Sequence, residues 1–214
     1  VCLASPLRDV YKRQPFLHIP TMTVENTCVE LLLALAAVGA QYCFEGEKGV
    51  ELFHTARAIA SQRIRRKDAG LSYPDKDSNS DASLWAFSTS ILHGPSNLRY
   101  DSSRGSPTAA GLVPETDLMQ TAQALLMLMA MATWAKHKEI LREAFAIQSI
   151  LATLVRDDGL HSSPYPSDIS WEAWTQQESR TRTKFIVFCF FNLHCIVYNI
   201  PPLILNSELK MRLP

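Results

Sequence analysis

Six histidines (His18, His54, His93, His137, His161, His194) and five cysteines (Cys2, Cys28, Cys43, Cys189, Cys195) are the side chains best suited to hold a metal or act as nucleophiles. Their spacing supports neither use. There is no His-x-x-x-His, no pair of Glu-x-x-His motifs and no Cys-x-x-Cys, the arrangements that bring ligands onto one metal. Cys189 with His194-Cys195 comes closest to a ligand set. The two thiols are six residues apart, which puts them on different faces of a helix, and no fourth ligand is near. A hydrogen-bonded core histidine outweighs a zinc ligand at His194. Gly-x-Ser-x-Gly and phosphate-cradling glycine loops are absent. Asp157-Asp158 follows a helical stretch without the partner motif that a magnesium-dependent helical synthase needs. Glu178 and Arg182 stand at i,i+4 with the acid first, the favourable order for an ion pair along a helix. These candidates therefore point to structural roles, and a helical lipid or metabolite enzyme is the weakest reading.

The element that must position most of them runs from Trp171 to Pro202. Ser170 is suited to cap it, and Glu172 lies in its first turn, where the helix dipole favours an anion. Pro201 and Pro202 cannot continue the hydrogen-bond ladder. Roughly 30 residues of helix span about 45 Å, enough to cross a domain. Trp171, Trp174, Glu178, Thr181, Phe185, Phe188, Asn192 and Ile196 are expected to share its inner face, which makes this helix the central rod of the fold. Its second half is apolar from Phe185 to Tyr198, but Asn192 and His194 interrupt the run, which favours a buried core helix over a membrane span.

Upstream, Thr27 and Glu30 fit a capping box that starts a helix through Leu31 to Phe44. A second helix over about 49–67 sets Val50, Phe53, Ala56, Ile59 and Ala60 on one face. Residues 68–114 are rich in serine and proline and read as a flexible insertion. Within it Leu84, Trp85, Phe87, Ile91 and Leu92 could dock a short helix, and Ser106-Pro107 could be a phosphorylation site, with a plain loop the better account. A helix starting at Pro114 and Glu115 is apolar nearly all round from Leu118 to Trp134. Another, about His137 to Arg156, is amphipathic, and Gly159 suits its C-terminal cap. Nothing alternates with a period of two. The expected fold is all-α: one domain of about six helices around a buried apolar helix, with a long Ser-rich loop.

With 214 residues, 47% apolar composition, and 21 basic residues balancing 21 acidic ones, the chain is an ordinary globular length with zero net charge. That balance argues against a basic surface gripping nucleic acid. An odd number of irregularly spaced cysteines suits reduced thiols in an intracellular protein.

Several segments together resemble a known family. PFLHIPT, with His18 and Pro20, is followed by LLLALAAVGAQYCFEG, QTAQALLMLMAMATW and AIQSILATLVRDDGLH, the last carrying Gly159 and His161. Trp171, Trp174 and Glu178 then form a Trp-x-x-Trp-x-x-x-Glu motif, and FCFFNLHCIVYNIPPLILNSELKMRLP contains Pro201-Pro202. In this order they look like the fungal-specific transcription factor domain, the all-α middle homology region found after zinc-binding DNA-recognition modules. Family members often carry adjacent arginines after the Glu; here Thr181 separates Arg180 from Arg182, so no role for a contiguous cluster is carried over. The resemblance implies a nuclear regulator of RNA polymerase II transcription without catalytic residues. It implies no cofactor in this chain, zinc and DNA contacts belonging to a module N-terminal to it, and partners among co-regulators or the transcription machinery, with room for a small-molecule effector. No membrane contact is implied. A stand-alone helical adaptor is the alternative. Residues 1–14, ending in DVYKRQ, resemble translated sequencing adaptor and are expected to be a non-native leader. The domain is then expected to occupy 15–214 as a piece of a longer product that ends inside it.

Overall fold

The computed structural model describes residues 16–71, 117–134, 138–161 and 168–211. Among them are five α-helices and one short 3-10 turn, with no strand beyond an isolated bridge between His161 and Lys210. The fold is all-α, as expected. The leader, the Leu84–Leu92 cluster, Ser106-Pro107 and the helix start at Pro114-Glu115 lie outside the described residues.

Helix α1 spans Val29–Tyr42 and α2 spans Gly46–Leu71, four residues into the expected insertion. The two pack against each other as a hairpin, and their small side chains Ala34, Ala37, Ala56 and Ala60 are all essentially buried. Gly49 permits this close approach. A Cβ there would lie 3.3 Å from the Ala37 carbonyl oxygen and 3.0 Å from Gln41 Nε2. The turn between the helices places Phe44 at φ 62 and leaves its ring 98% exposed.

The capping box does not form. The N-cap is Cys28, with no side-chain cap, and Thr27 Oγ1 donates instead to the Thr23 carbonyl at 2.7 Å. Glu30 is fully buried because better partners than the backbone claim it: Arg63 Nε of α2 at 2.7 Å, and Thr121 Oγ1 at 2.8 Å. The Cys28 amide is satisfied from 92 residues away, donating to Gln120 Oε1 at 2.7 Å, while Gln120 Nε2 donates to the Asn26 carbonyl.

Helix α3, Met119–Trp134, which carries Gln120 and Thr121, is the centre of the fold. It is buried almost all round and packs against α1, α2, α4 (Lys138–Asp157) and α5 (Trp171–Tyr198). Helix α4 buries Ile140, Ala144, Ile147, Leu151 and Val155 at the helical spacing its sequence predicts, and Gly159 closes it at φ 86.

Helix α5 departs from expectation in two respects. It is a flank rather than the central rod, and its inner face is rotated from the expected stripe. Trp171 and Ile196, the ends of that stripe, are 58% and 82% exposed. The buried line is Thr175, Glu178, Thr181, Lys184, Val187, Phe191 and His194, coinciding early and running one or two residues off later. Polar side chains that find partners inside draw the helix round to this face. The helix opens as expected, with Ser170 Oγ accepting from the Ala173 amide, and ends at Tyr198 with Asn199 in the left-handed conformation, before the double proline. No described helix is long and apolar enough to cross a membrane.

Candidate regulatory site

The first half of α5 carries a polar network that reaches α3, the end of α4 and the N-terminal arm. Asp117, two residues before α3, accepts the Met119 amide at 2.9 Å and so starts that helix. Arg180 spans two elements. Its Nη1 and Nη2 bond Asp117 at 2.6 and 3.2 Å, and Nη2 also bonds Asp158 Oδ1 at 2.6 Å. One turn on, Lys184 is buried and donates to Asp158 Oδ2 at 2.6 Å and to the Gly159 carbonyl at 2.7 Å. Two cations on one helix thus lock the left-handed turn at Gly159 and the entrance to α3.

Burial alone would raise the Asp117 carboxyl. The hydrogen bonds from Arg180 and from the Met119 amide, with the charges of Arg180 and Lys67, outweigh it and hold the acid below its ordinary range. Burial likewise opposes the charged Arg180, and its bonds to Asp117 and Asp158 overcome that, raising the guanidinium further. Every charge here is compensated within the protein. The arrangement can fix geometry and transmit a displacement, but it presents no free base, nucleophile or ligand cage. Among the described residues no group of three or more His, Cys, Asp or Glu could hold a metal ion.

Beside this lock lies a cleft of ≈ 560 Å³ between the arm and the body. Leu17, His18 and Met22 form the arm's wall; Gln123 of α3 and Gln176 and Arg180 of α5 form part of the facing wall. The arm is pinned at its ends. Phe16 is buried, and its carbonyl accepts from Ser179 Oγ at 2.6 Å; Gln120 holds Asn26 at the other end.

The family-motif residues fall into separate groups. His18 meets the edge of Trp171 at 6.1 Å between ring centroids, and Trp171 stacks on Trp174 at 5.2 Å; Pro20 lies in the exposed 3-10 turn Ile19–Thr21. Arg180 is joined to Gly159 through Asp158 and Lys184. Glu178 pairs with Arg182 at 2.6 Å as the i,i+4 spacing predicts. His161 lies against Gly159 and bridges to Lys210 in the C-terminal tail. Pro201 and Pro202 are beyond the far end of α5 and join none of these groups. Asp117, Gln123 and Ser179 carry no signal of their own in the sequence, whereas Lys184 stands i,i+4 from Arg180 and sets two cations on one side of the helix.

Compared with known families, residues 7–214 match the fungal specific transcription factor domain. The chain belongs to that family. It is a family of transcription factor domains rather than of enzymes, and its members are generally nuclear. No curated relative and no solved structure matches the chain. For this fungal transcription factor domain, the lock and the cleft beside it are therefore candidates for regulation.

Proposed function

We propose that the domain is the control module, not contacting DNA itself, of a sequence-specific factor that governs RNA polymerase II transcription in the nucleus. Membership of the family over residues 7–214 carries this reading. The zero net charge supports it, because a surface that grips DNA concentrates Lys and Arg opposite phosphates. Zinc and DNA contacts then belong to an upstream module. Protein co-regulators engage the helical body. A small-molecule effector with hydrogen-bonding groups enters the cleft between the arm and α5, where amide side chains and Arg180 face the apolar Leu17 and Met22. Occupancy of that cleft pulls on Arg180, and Arg180 pulls on the start of α3 through Asp117 and the end of α4 through Asp158.

The test joins residues 15–214 to an unrelated DNA-binding module upstream of an RNA polymerase II reporter. Reporter output should change with the domain attached, and Arg180→Met should alter that change by at least about threefold at equal promoter occupancy, since a lost charged network on the order of 1 kcal/mol shifts a two-state balance that far. Unchanged output on attachment, or sequence-specific DNA binding by residues 15–214 alone, would overturn the proposal.

A further inference from the structure

The cleft beside the lock holds an acceptor that the protein's own donors leave over. Gln123 of α3 is only 5% exposed, yet it lines the cleft. Its Nε2 donates to Ser179 Oγ at 3.0 Å and to Thr183 Oγ1 at 3.1 Å. Both hydroxyls donate their own protons elsewhere, Ser179 to the Phe16 carbonyl at 2.6 Å and Thr183 to the Ser179 carbonyl at 2.7 Å. Toward Gln123 they can only accept, which fixes which way round the amide sits. No described residue bonds its Oε1, and that atom is not sealed in the core, so it opens to the cleft. A largely buried carbonyl oxygen of this kind is costly until a donor meets it. Two turns before Ser179, on the same side of α5, Glu172 also lines the cleft, with Gln176 between them. Neither Glu172 nor Gln176 bonds a described side chain. Two turns of helix rise about 10 Å. Leu17, Met22, Leu31 and Met119 supply the apolar part of the wall.

Resting on the reading of this cleft as an effector site, we propose that its occupant is an elongated aliphatic amine with a nitrogen at each end. One nitrogen donates an N–H to Gln123 Oε1. The ammonium at the other end meets the Glu172 carboxylate, with the Gln176 amide beside it. The methylene chain between them lies along Leu17 and Met22. The charges around the cleft disfavour an anion. Arg180 is the only lysine or arginine on the described lining, and together with Lys184 it is balanced by Asp117 and Asp158. The two helix starts that border the cleft, where a dipole would attract an anion, each already carry an acid. Asp117 holds that place at α3 and Glu172 at α5. An anion would therefore meet carboxylates and no unmatched Lys or Arg. A neutral alcohol would satisfy Gln123 but gain nothing from Glu172.

Isothermal titration calorimetry of the whole chain at physiological salt compares heptamethylenediamine with heptanoate and heptanol. The diamine should bind at least about tenfold tighter than either, because only it makes charge-assisted contacts at both ends. Glu172→Gln, at an exposed position, should weaken the diamine about fivefold, as loss of an exposed ion pair does. Gln123→Leu should weaken it about tenfold, with circular dichroism checking that α3 still folds. The Glu172 variant decides the matter alone if Gln123→Leu does not fold. Diamine binding undiminished by either substitution puts it elsewhere and overturns the proposal. Tighter binding of heptanoate or heptanol, lost in Gln123→Leu, overturns the amine while keeping the cleft as an effector site. If none of the three binds up to about 10 mM the amine is likewise overturned, whereas the regulatory reading stands or falls by the reporter.

Discussion

Helix α3 and the second half of α5 are both strongly apolar stretches, yet they occupy opposite situations. Helix α3 disappears into the core, with Leu125, Leu126, Met127, Leu128 and Met129 all at or near zero exposure. Helix α5 turns Glu178, Lys184 and His194 inward while Ile196 and Val197 face out. Apolar content therefore does not report which way a helix faces. An apolar stretch such as Leu125–Met129 is placed by burial; a stretch carrying polar groups with waiting partners is placed by those partners as well. The sharpest way to break this contrast is to truncate each helix at its most apolar point. Leu128→Ala should cost about 2–5 kcal/mol, the range for cavities in packed cores, whereas Ile196→Ala should fall within about 0.5 kcal/mol. Urea denaturation measures both. Equal losses would mean that α5 is buried as centrally as α3.

The same contrast marks what could be read in advance. Helix α4 was legible because its apolar stripe from Ile140 to Val155 recurs at helical spacing, with Gln148 buried beside it. The burial of α3 followed from its having no polar face to offer water. The orientation of α5 was not legible, because Thr183 and Lys184 are buried by Gln123 and the Gly159 carbonyl, groups about 60 and 25 residues away in sequence. Glu30 illustrates the limit at a helix start. The local pattern with Thr27 fits a capping box, but Arg63 and Thr121 compete for the carboxylate and win. At the candidate site, the Glu178–Arg182 pair was legible from spacing because both partners are local. The lock through Asp117 and Asp158 was not, since each acid sits just outside a helix end and is joined to Arg180 only by the tertiary fold.

Lys184 offers a second, smaller break of the comparison. It is the buried cation that turns α5 toward the end of α4, whereas Lys48 pairs with Glu45 in full solvent at 2.9 Å. Lys184→Met keeps the length of the side chain but strands the Gly159 carbonyl and leaves Asp158 with Arg180 alone. The expected loss is about 2 kcal/mol, below the 3–5 typical of a fully broken buried pair because Arg180 stays in place. Lys48→Met should leave the unfolding midpoint where it is, as exposed pairs do. If both substitutions are silent, the inward polar face of α5 does not hold it.

His194 gives the smallest effect and the most specific one. Thr133 Oγ1 donates to the Met129 carbonyl at 2.7 Å, so toward His194 Nε2, 2.8 Å away, it can only accept. The ring therefore carries its proton on Nε2, and Nδ1 accepts from the Gln148 amide. Both nitrogens are used in the neutral form, and burial holds the imidazole below its ordinary value near 6.5. A proton on Nδ1 would face an amide donor. The unfolded chain takes up that proton first, so stability should fall as the pH drops from about 6.5 toward the lower folded value, by at most about 1.4 kcal/mol per unit. Above pH 7 this residue should contribute no pH dependence. Urea midpoints between pH 7.5 and 5 should show the slope in the native chain and lose it in His194→Gln, while NMR of the ring should find a depressed titration. An unshifted ring would mean that Gln148 turns its amide oxygen to the incoming proton. The inward face of α5 would then tolerate charge at both ends, at His194 as it already does at Lys184.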